Sequence, residues 1–262
     1  MSVISVHNAG FFSCCSVKLS DIVKYINSNN KSPDIVDSSK QFNWYKTYNN
    51  NDITYEYFKN YDNITAIEFS YNINYYHDDQ YIDYSNLDYQ NITPLINKYF
   101  SPSNNITDII NNMEQKYNLI YDNICVLFYR GNDKARETKL CKYEEYLKYA
   151  NNIIEKNPNI VFLIQSDESE FIEFISNTFP NNSFYFKDEI RHVNKCNSTV
   201  DIILSSTNNI FSKFYLAITI IMSKCKYVIC VSGNCSMWIM LYRGNNKNTI
   251  QYLNGTWYNS VL

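Results

Sequence analysis

The sequence predicts an α/β fold whose second half is a doubly wound parallel sheet. From residue 124 onward, short apolar runs typical of buried strands alternate with stretches of helical periodicity. Strands that alternate with helices along a chain form parallel sheets. Polar clusters follow four of the predicted strands, at the carboxyl edge where open α/β folds bind their ligands.

The first 120 residues open like an α/β unit and then become irregular. Residues 3–6 are a β-branched run, a loop with Gly10 follows, and apolar residues recur with helical spacing over residues 19–26. Residues 27–51 are polar and rich in Asn, and Pro33 excludes a helix there. Further elements are predicted as a strand at 66–71 and helices at 92–99 and 106–117.

The second half has a regular succession of elements. Strands are predicted at residues 124–128, 160–164, 183–186, 227–231 and 249–253, and helices at 143–155, 169–177, 211–223 and 236–242. A boundary near residue 120 therefore separates an N-terminal α/β domain, residues 1–120, from a C-terminal Rossmann-like domain, residues 121–262.

Charge and composition exclude several classes of protein. The net charge of −3 lacks the electrostatic footprint of a nucleic-acid-binding protein. The chain does not begin with a signal-peptide pattern, and its longest apolar patch, residues 215–222, is too short to span a membrane. The eight cysteines follow neither zinc-site nor redox spacing. We therefore expect a cytoplasmic protein with no membrane span and no nucleic-acid partner.

Four polar clusters are predicted at one edge of the C-terminal sheet. They are residues 130–137, 165–168, 189–192 and 232–236. One such cluster is typical of many surface loops, but four that converge on one edge indicate a binding site. Because Arg matches the geometry of phosphate oxygens, Arg130 favours a ligand that carries phosphate.

The cluster at 232–236 has the sequence Ser-Gly-Asn-Cys-Ser and leads directly into a predicted helix. Gly233 permits a tight turn, and the amino terminus of a helix offers backbone N–H groups and the positive end of its dipole. Ordinary capping by Asn234 or Ser236 is the alternative interpretation. With Arg130 expected nearby at the same edge of the sheet, the turn favours phosphate binding.

These clusters resemble the donor domain of the α1,6-fucosyltransferase and protein O-fucosyltransferase superfamily. Its strand end His-x-Arg-Arg-x-Asp-Lys is matched by Phe-Tyr-Arg-Gly-Asn-Asp-Lys at residues 128–134. Its strand that ends in Thr-Asp-Asp is matched by Phe-Leu-Ile-Gln-Ser-Asp at residues 162–167. Its last strand and Ser-rich turn are matched at residues 222–234, and the order and spacing agree over about half of the chain.

The resemblance implies a GT-B fold of two Rossmann-like domains, with the acceptor on the N-terminal side. It implies an inverting glycosyltransferase that transfers fucose from GDP-fucose to a hydroxyl of a glycan or a protein. The nucleotide-sugar is a substrate in this family, and neither a prosthetic group nor an essential metal is expected.

The resemblance also suggests roles for individual residues. Arg130 would neutralise the β-phosphate of departing GDP, and Glu137 or Asp133 would be the catalytic base, although a Glu that leads into a helix is equally a favourable dipole partner. The residues expected at the donor are Arg130, Gly131, Asn132, Lys134, Asp167, Arg191, His192, Ser232, Gly233, Asn234 and Ser236. His7, Asn8 and Gly10 are expected to line the cleft.

The chain departs from the family pattern at several positions. Phe128 replaces the family's His, Gly131 its second Arg, and Ser166 the first Asp of Thr-Asp-Asp, while a later family Asp falls near Ile218 or Thr219. A catalytically silent nucleotide-sugar or carbohydrate-binding protein on the same fold is therefore the alternative. A kinase or hydrolase is disfavoured because the sequence contains no Gly-x-x-x-x-Gly-Lys-Ser/Thr loop.

Overall fold

A computed structural model describes residues 2–47, 52–63 and 70–261. The strands are β1 (Ser2–His7), β2 (Ile35–Gln41), β3 (Ile124–Tyr129), β4 (Val161–Ser166), β5 (Ser183–Phe184), β6 (Tyr227–Val231), β7 (Thr249–Leu253) and β8 (Thr256–Asn259). The helices are α1 (Phe11–Asn29), α2 (Thr54–Tyr57), α3 (Tyr89–Tyr99), α4 (Asn104–Lys116), α5 (Tyr143–Lys156), α6 (Ser169–Thr178), α7 (Val200–Ile203), α8 (Asn208–Lys224) and α9 (Asn234–Arg243). Short 3₁₀ turns include Asp79–Tyr81 and Asn132–Arg136.

Six strands form the large sheet, in the order β5-β4-β3-β6-β7-β8. All neighbours are parallel except β7 and β8. The predicted α/β class with a parallel-dominated sheet is therefore confirmed. The chain runs outward from β3 through β4 to β5 and then returns to the other side of β3 with β6. The topological switch point, where such sheets bind ligands, thus lies between the carboxyl ends of β3 and β6.

The predicted strands and helices from residue 124 to 253 are present, with ends displaced by a few residues. Every residue of β3 and β6 is buried, as expected for central strands that are covered on both faces. One strand was missed, since β8 pairs antiparallel with β7 across a tight turn. In that turn Asn254 and Gly255 have φ values of 49° and 99°, and positive φ at both central residues is typical of a two-residue hairpin turn.

The N-terminal part differs more from its prediction. Helix α1 begins at Phe11, eight residues before the predicted start, because Phe11 and Phe12 bury their rings in the first turn. Strand β2 was not predicted, and it pairs parallel with β1. It buries Ser38 and Gln41 besides Val36, so it lacks the apolar alternation of a recognisable strand. Residues 66–69 of the strand predicted at 66–71 lie outside the described residues.

The two halves of the chain share one hydrophobic core. Trp238 of α9 packs against Phe12 of α1 and Phe100, with ring centroids 5.9 and 4.8 Å apart. The domain boundary near residue 120 stays a prediction. All eight cysteines have free thiols, and seven of them are buried. Among the described residues, no helix has both the length and the apolar character needed to cross a membrane.

Candidate active site

A cavity of about 280 Å³ opens at the switch point of the large sheet and is called the main cavity below. One wall is the loop that leads into α1, and the other is formed by the segments that follow β3 and β6. It brings together eight residues that the sequence predicted for the site: Gly10, Arg130, Asp133, Lys134, Glu137, Ser232, Gly233 and Asn234.

Arg130, directly after β3, is held by three side chains. Its Nε donates to Asp167 Oδ2 at 2.9 Å, its Nη1 to the Tyr215 hydroxyl at 3.2 Å and its Nη2 to Asp133 Oδ1 at 3.2 Å. Burial opposes the charge, but these neighbours outweigh it and hold the pKa of Arg130 well above its ordinary value. A guanidinium has five N–H groups, so two remain for a ligand.

Asp167, directly after β4, is 3 % exposed and forms hydrogen bonds with the loop that follows Arg130. Its Oδ1 accepts from the Gly131 N–H at 3.1 Å, and its carbonyl oxygen accepts from Asn132 Nδ2 at 2.9 Å. Asn132 Oδ1 in turn accepts from the Cys196 N–H at 2.8 Å. Asn132, expected to contact the donor, therefore lies inside the protein and ties two loops together.

The space beside Gly131 is filled by the buried side chain of Glu168. A Cβ atom at position 131 would lie 2.0 Å from Glu168 Oε1, so no larger residue fits without a shift. Glu168 accepts a hydrogen bond from the Tyr143 hydroxyl. Burial raises the pKa of Glu168, and the nearby Asp167 adds to this effect. An Arg at this position, as in the family pattern, would therefore require the Glu168 side chain to move.

The turn after β6 is fixed by residues distant in sequence. Gly233 N–H donates to the Tyr84 hydroxyl at 3.1 Å, and the same hydroxyl hydrogen-bonds Ser236 Oγ at 2.7 Å. Ser232 Oγ accepts from Gln251 Nε2 at 2.7 Å. Both serine hydroxyls, predicted to cradle phosphate, are buried and already hydrogen-bonded. The part of the turn that remains for an anion is the amino terminus of α9.

Lys134 and Glu137 form an ion pair at the rim of the main cavity. Glu137 Oε2 also accepts from the Tyr81 hydroxyl at 2.7 Å. The Glu137 side chain is 38 % exposed, so it remains accessible from the cavity. Burial and the adjacent Glu137 carboxylate raise the pKa of Tyr81, which therefore stays a hydrogen-bond donor.

A second, small cavity of about 40 Å³ adjoins the main cavity behind Arg130. Its wall includes Gln165, Asp167, Arg191 and Asp201. Arg191 Nη2 donates to Asp201 Oδ1 at 2.6 Å, and the Tyr45 hydroxyl donates to Asp201 Oδ2 at 3.0 Å. This arrangement, called the Asp201 clasp, joins the N-terminal half to the loop after β5.

The remaining predicted site residues lie away from both cavities. His192 Nδ1 hydrogen-bonds Ser169 Oγ at 2.8 Å. His7 Nε2 hydrogen-bonds Ser13 Oγ at 2.8 Å, and burial lowers the pKa of His7. Asn8 Oδ1 accepts from the Asn43 N–H at 3.3 Å. Of the three residues expected to line the cleft, only Gly10 does so.

No group of three or more His, Cys, Asp or Glu side chains that would suit a metal ion occurs in the described parts of the chain. Asp79 accepts from the Tyr76 N–H at 2.9 Å and thereby closes its own turn. Asp78 lies 3.6 Å from His77. Two adjacent acids such as Asp78 and Asp79 could suggest a metal site by sequence alone, but in the structure both have local partners.

No protein-family model and no curated protein sequence matches the chain. Several solved structures have the same fold. NodZ α-1,6-fucosyltransferase soaked with GDP-fucose is 12 % identical, with a TM-score of 0.58 and coverage of 98 % of both chains. NodZ co-crystallised with GDP is 12 % identical with a TM-score of 0.56, and fucosyltransferase NodZ from Bradyrhizobium is 11 % identical with a TM-score of 0.55. Both of these matches also cover 98 % of this chain and of the NodZ chain.

The chain has a fucosyltransferase-like GT-B fold. Four residues that shape the main cavity or the turn beside it were not predicted from the sequence: Tyr84, Asp201, Tyr215 and Gln251. Two of them carried a usable signal, since Asp201 lies 10 residues after Arg191 and Tyr215 lies within the helix before β6. Tyr84 and Gln251 carried none, because Tyr84 contacts Gly233 and Gln251 across 149 and 167 residues of sequence.

Proposed function

We propose that this protein is an inverting glycosyltransferase that transfers fucose from GDP-fucose to an acceptor hydroxyl. The observation that carries the proposal is the position of Arg130 and the 232–236 turn. They follow the two strands that flank the switch point, and both line the main cavity. The fold is that of fucosyltransferases, and NodZ structures were obtained with GDP-fucose and with GDP.

The proposed reaction uses few protein groups. The acceptor hydroxyl attacks C1 of fucose from the face opposite the nucleotide, the bond from C1 to the phosphate oxygen breaks, and GDP leaves with that electron pair. The two remaining N–H groups of Arg130 and the amino terminus of α9 stabilise the charge that develops on the diphosphate. Glu137 takes the proton of the hydroxyl, with Asp133 as the alternative base.

The diphosphate would lie between Arg130 and the amino terminus of α9, with the guanine base of the nucleotide directed toward the small cavity. At about 40 Å³ the small cavity has room for only a few water molecules, far less than a guanine base needs. Donor binding therefore requires the Asp201 clasp to move. Gln165 and Phe211 line this small cavity and would contact the guanine base.

The test is release of GDP from GDP-fucose in the presence of mixed glycan and Ser/Thr-peptide acceptors. We expect Arg130→Ala to abolish release. Arg136 is an exposed arginine at the end of the 3₁₀ turn that follows Arg130, and Arg136→Ala should leave release unchanged. Glu137→Gln should abolish transfer while Asp133→Asn retains part of it; the reverse result would assign the base to Asp133. Wild-type release by Arg130→Ala would refute the proposal.

The silent binding protein remains the second candidate because the charges of the main cavity are already paired. Arg130 contacts Asp133, Lys134 contacts Glu137, and Asp201 contacts Arg191. Because these charges are paired and Gly131 stands in place of an Arg, the positive electrostatic field that could stabilise a leaving diphosphate is weaker. Binding of GDP-fucose without GDP release, across all acceptors, would favour this candidate.

A further inference from the structure

Ser13 and His7 form a hydrogen-bonded pair at the N-terminal wall of the main cavity. Ser13 Oγ and His7 Nε2 are 2.8 Å apart. Ser13 lies in the first turn of α1, is half-buried and lines the cavity, whereas His7, the last residue of β1, does not. A serine on a cavity wall with an imidazole nitrogen within hydrogen-bonding distance of its hydroxyl has the arrangement of an activated nucleophile.

A second Ser–His pair in the chain provides a comparison. Ser169 Oγ and His192 Nδ1 are also 2.8 Å apart, and Ser169 is also half-buried in the first turn of a helix, α6. Neither of these residues lines the main cavity or the small cavity. The Ser13–His7 pair therefore differs in its location, because only its serine lies where a ligand can be held.

His7 is suited to accept the proton of the Ser13 hydroxyl. Burial lowers the pKa of His7, so its imidazole is neutral at pH 7, and with the proton on Nδ1 the Nε2 lone pair is free to accept. The charge of His77 also lowers this pKa, and the carboxylate of Asp21 in α1 favours the imidazolium that forms. Cys14 Sγ donates to the backbone oxygen of His7 at 3.4 Å and joins the end of β1 to α1.

The amino terminus of α1 offers a place for developing negative charge. Gly10 precedes this helix of 19 residues without a side-chain cap, and the first turn contains no acidic residue. The first N–H groups of a helix have no partner within it, and Gly10, Phe11 and Phe12 line the main cavity together with Ser13. Such N–H groups beside a nucleophile can stabilise the oxyanion of a tetrahedral intermediate.

We propose that Ser13 is a nucleophile activated by His7 and that the main cavity hydrolyses small carboxylic esters through an acyl-Ser13 intermediate. Ser13 Oγ attacks the carbonyl carbon while its proton passes to His7 Nε2, and the first turn of α1 holds the carbonyl oxygen as it becomes negative. The ester C–O bond then breaks, and the alcohol leaves with that electron pair and the proton from His7.

Water completes the proposed reaction. It attacks the acyl carbon and gives a proton to His7, the bond from the acyl carbon to Ser13 Oγ breaks, and Ser13 takes the proton back as the carboxylic acid leaves. A cavity of about 280 Å³ suits a small ester. This activity uses neither GDP-fucose nor the amino terminus of α9, so it is independent of the proposed function.

The experiment combines labelling by a fluorophosphonate probe, located by peptide mass spectrometry, with hydrolysis of p-nitrophenyl acetate. We expect the phosphonate on Ser13 and no labelling of that peptide in Ser13→Ala. His7→Gln keeps a hydrogen-bond acceptor but not a base, so it should slow labelling and hydrolysis about 10²-fold or more. In the wild type both rates should fall on acidification with a midpoint below pH 6.5, the ordinary pKa of histidine.

Two further variants separate the nucleophile from general effects. Ser169→Ala removes the hydroxyl of the comparison pair and should leave labelling and hydrolysis unchanged. Ser13→Cys keeps a nucleophile beside His7 and should still be acylated by p-nitrophenyl acetate, which separates loss of the nucleophile from loss of the fold in Ser13→Ala. Absence of the phosphonate from wild-type Ser13, equal labelling of Ser13 and Ser169, or wild-type rates in His7→Gln would overturn the assignment. Labelling of Ser13 in a protein that does not bind GDP would refute the donor proposal alone.

Discussion

Arg130 and Asp167 form an ion pair across the carboxyl ends of two neighbouring strands, with 2.9 Å between Arg130 Nε and Asp167 Oδ2. The Asp167 side chain is 4 % exposed, so its carboxylate depends on this partner and on the Gly131 N–H. One arginine thus has two functions, since it holds the loop after β3 and presents its remaining N–H groups to the main cavity.

We predict that two substitutions of Arg130 distinguish its effect on stability from its effect on sugar transfer. Arg130→Ala leaves a buried carboxylate unpaired and should lower the free energy of unfolding by about 3 kcal/mol. Arg130→Lys keeps the charge but not the fork of donors, so it should fold more stably yet lose about 10²-fold or more in transfer rate. Denaturant unfolding and GDP release measure the two effects. Equal stability of both variants would contradict the buried pair.

We predict that Gly131→Ala destabilises the protein by about 1–3 kcal/mol, because the new methyl group collides with the Glu168 side chain. The double variant Gly131→Ala/Glu168→Ala should lose much less than the sum of the single losses. Gly10→Ala is the control, since no atom lies within 4 Å of a Cβ atom placed there. Additive losses in the double-mutant cycle would show that the two positions do not interact.

An element was predictable from sequence when its own side chains define it, and was missed when distant partners define it. Strands β3, β4 and β6 are short runs of buried apolar residues, which sequence alone distinguishes. Strand β2 buries Ser38 and Gln41, and its identity depends on pairing with β1 rather than on its own side chains. The Asn254–Gly255 turn did carry a readable hairpin signal, so β8 was predictable.

The site was predictable where it follows from topology. Strand ends in a parallel sheet share one edge, so the sequence placed Arg130 and the 232–236 turn near each other, and both line the main cavity. What each polar group does there depends on distant partners. Asn132 and Ser236 read as ligand contacts in sequence, but their side chains hydrogen-bond within the protein.

We predict that weakening the Asp201 clasp increases affinity for GDP. Tyr45→Phe removes the hydroxyl that donates to Asp201 and should raise GDP affinity severalfold, because less free energy is spent on opening the small cavity. Tyr57→Phe is the matched control, since the Tyr57 hydroxyl also joins the two halves through Ser212 but neither residue lines the two cavities. Calorimetry measures both; unchanged or lower affinity in Tyr45→Phe would contradict the clasp.

We predict that Lys18 makes stability increase with pH in a defined range. Lys18 is fully buried, its Nζ donates to Thr54 Oγ1 at 3.3 Å, and burial lowers its pKa to about 8 from 10.5. Between these values the unfolded chain binds more protons, so the wild type gains stability as pH rises.

The measurement compares wild type with Lys18→Met by denaturant unfolding from pH 7 to 10. The difference in unfolding free energy should shift in favour of the wild type by up to about 3 kcal/mol over the full range between the two pKa values. Lys24→Met, at an exposed position of α1, should track the wild type. A pH-independent difference for Lys18→Met would show that Lys18 does not titrate there.

Calorimetric titration of the wild-type protein with GDP, UDP and CMP, repeated with Arg130→Lys, tests most directly whether the main cavity holds a nucleotide diphosphate. We predict that GDP binds, that it binds more tightly than UDP or CMP, and that Arg130→Lys weakens GDP binding at least about tenfold. Absence of GDP binding to the wild type, or equal affinity in Arg130→Lys, would contradict the account.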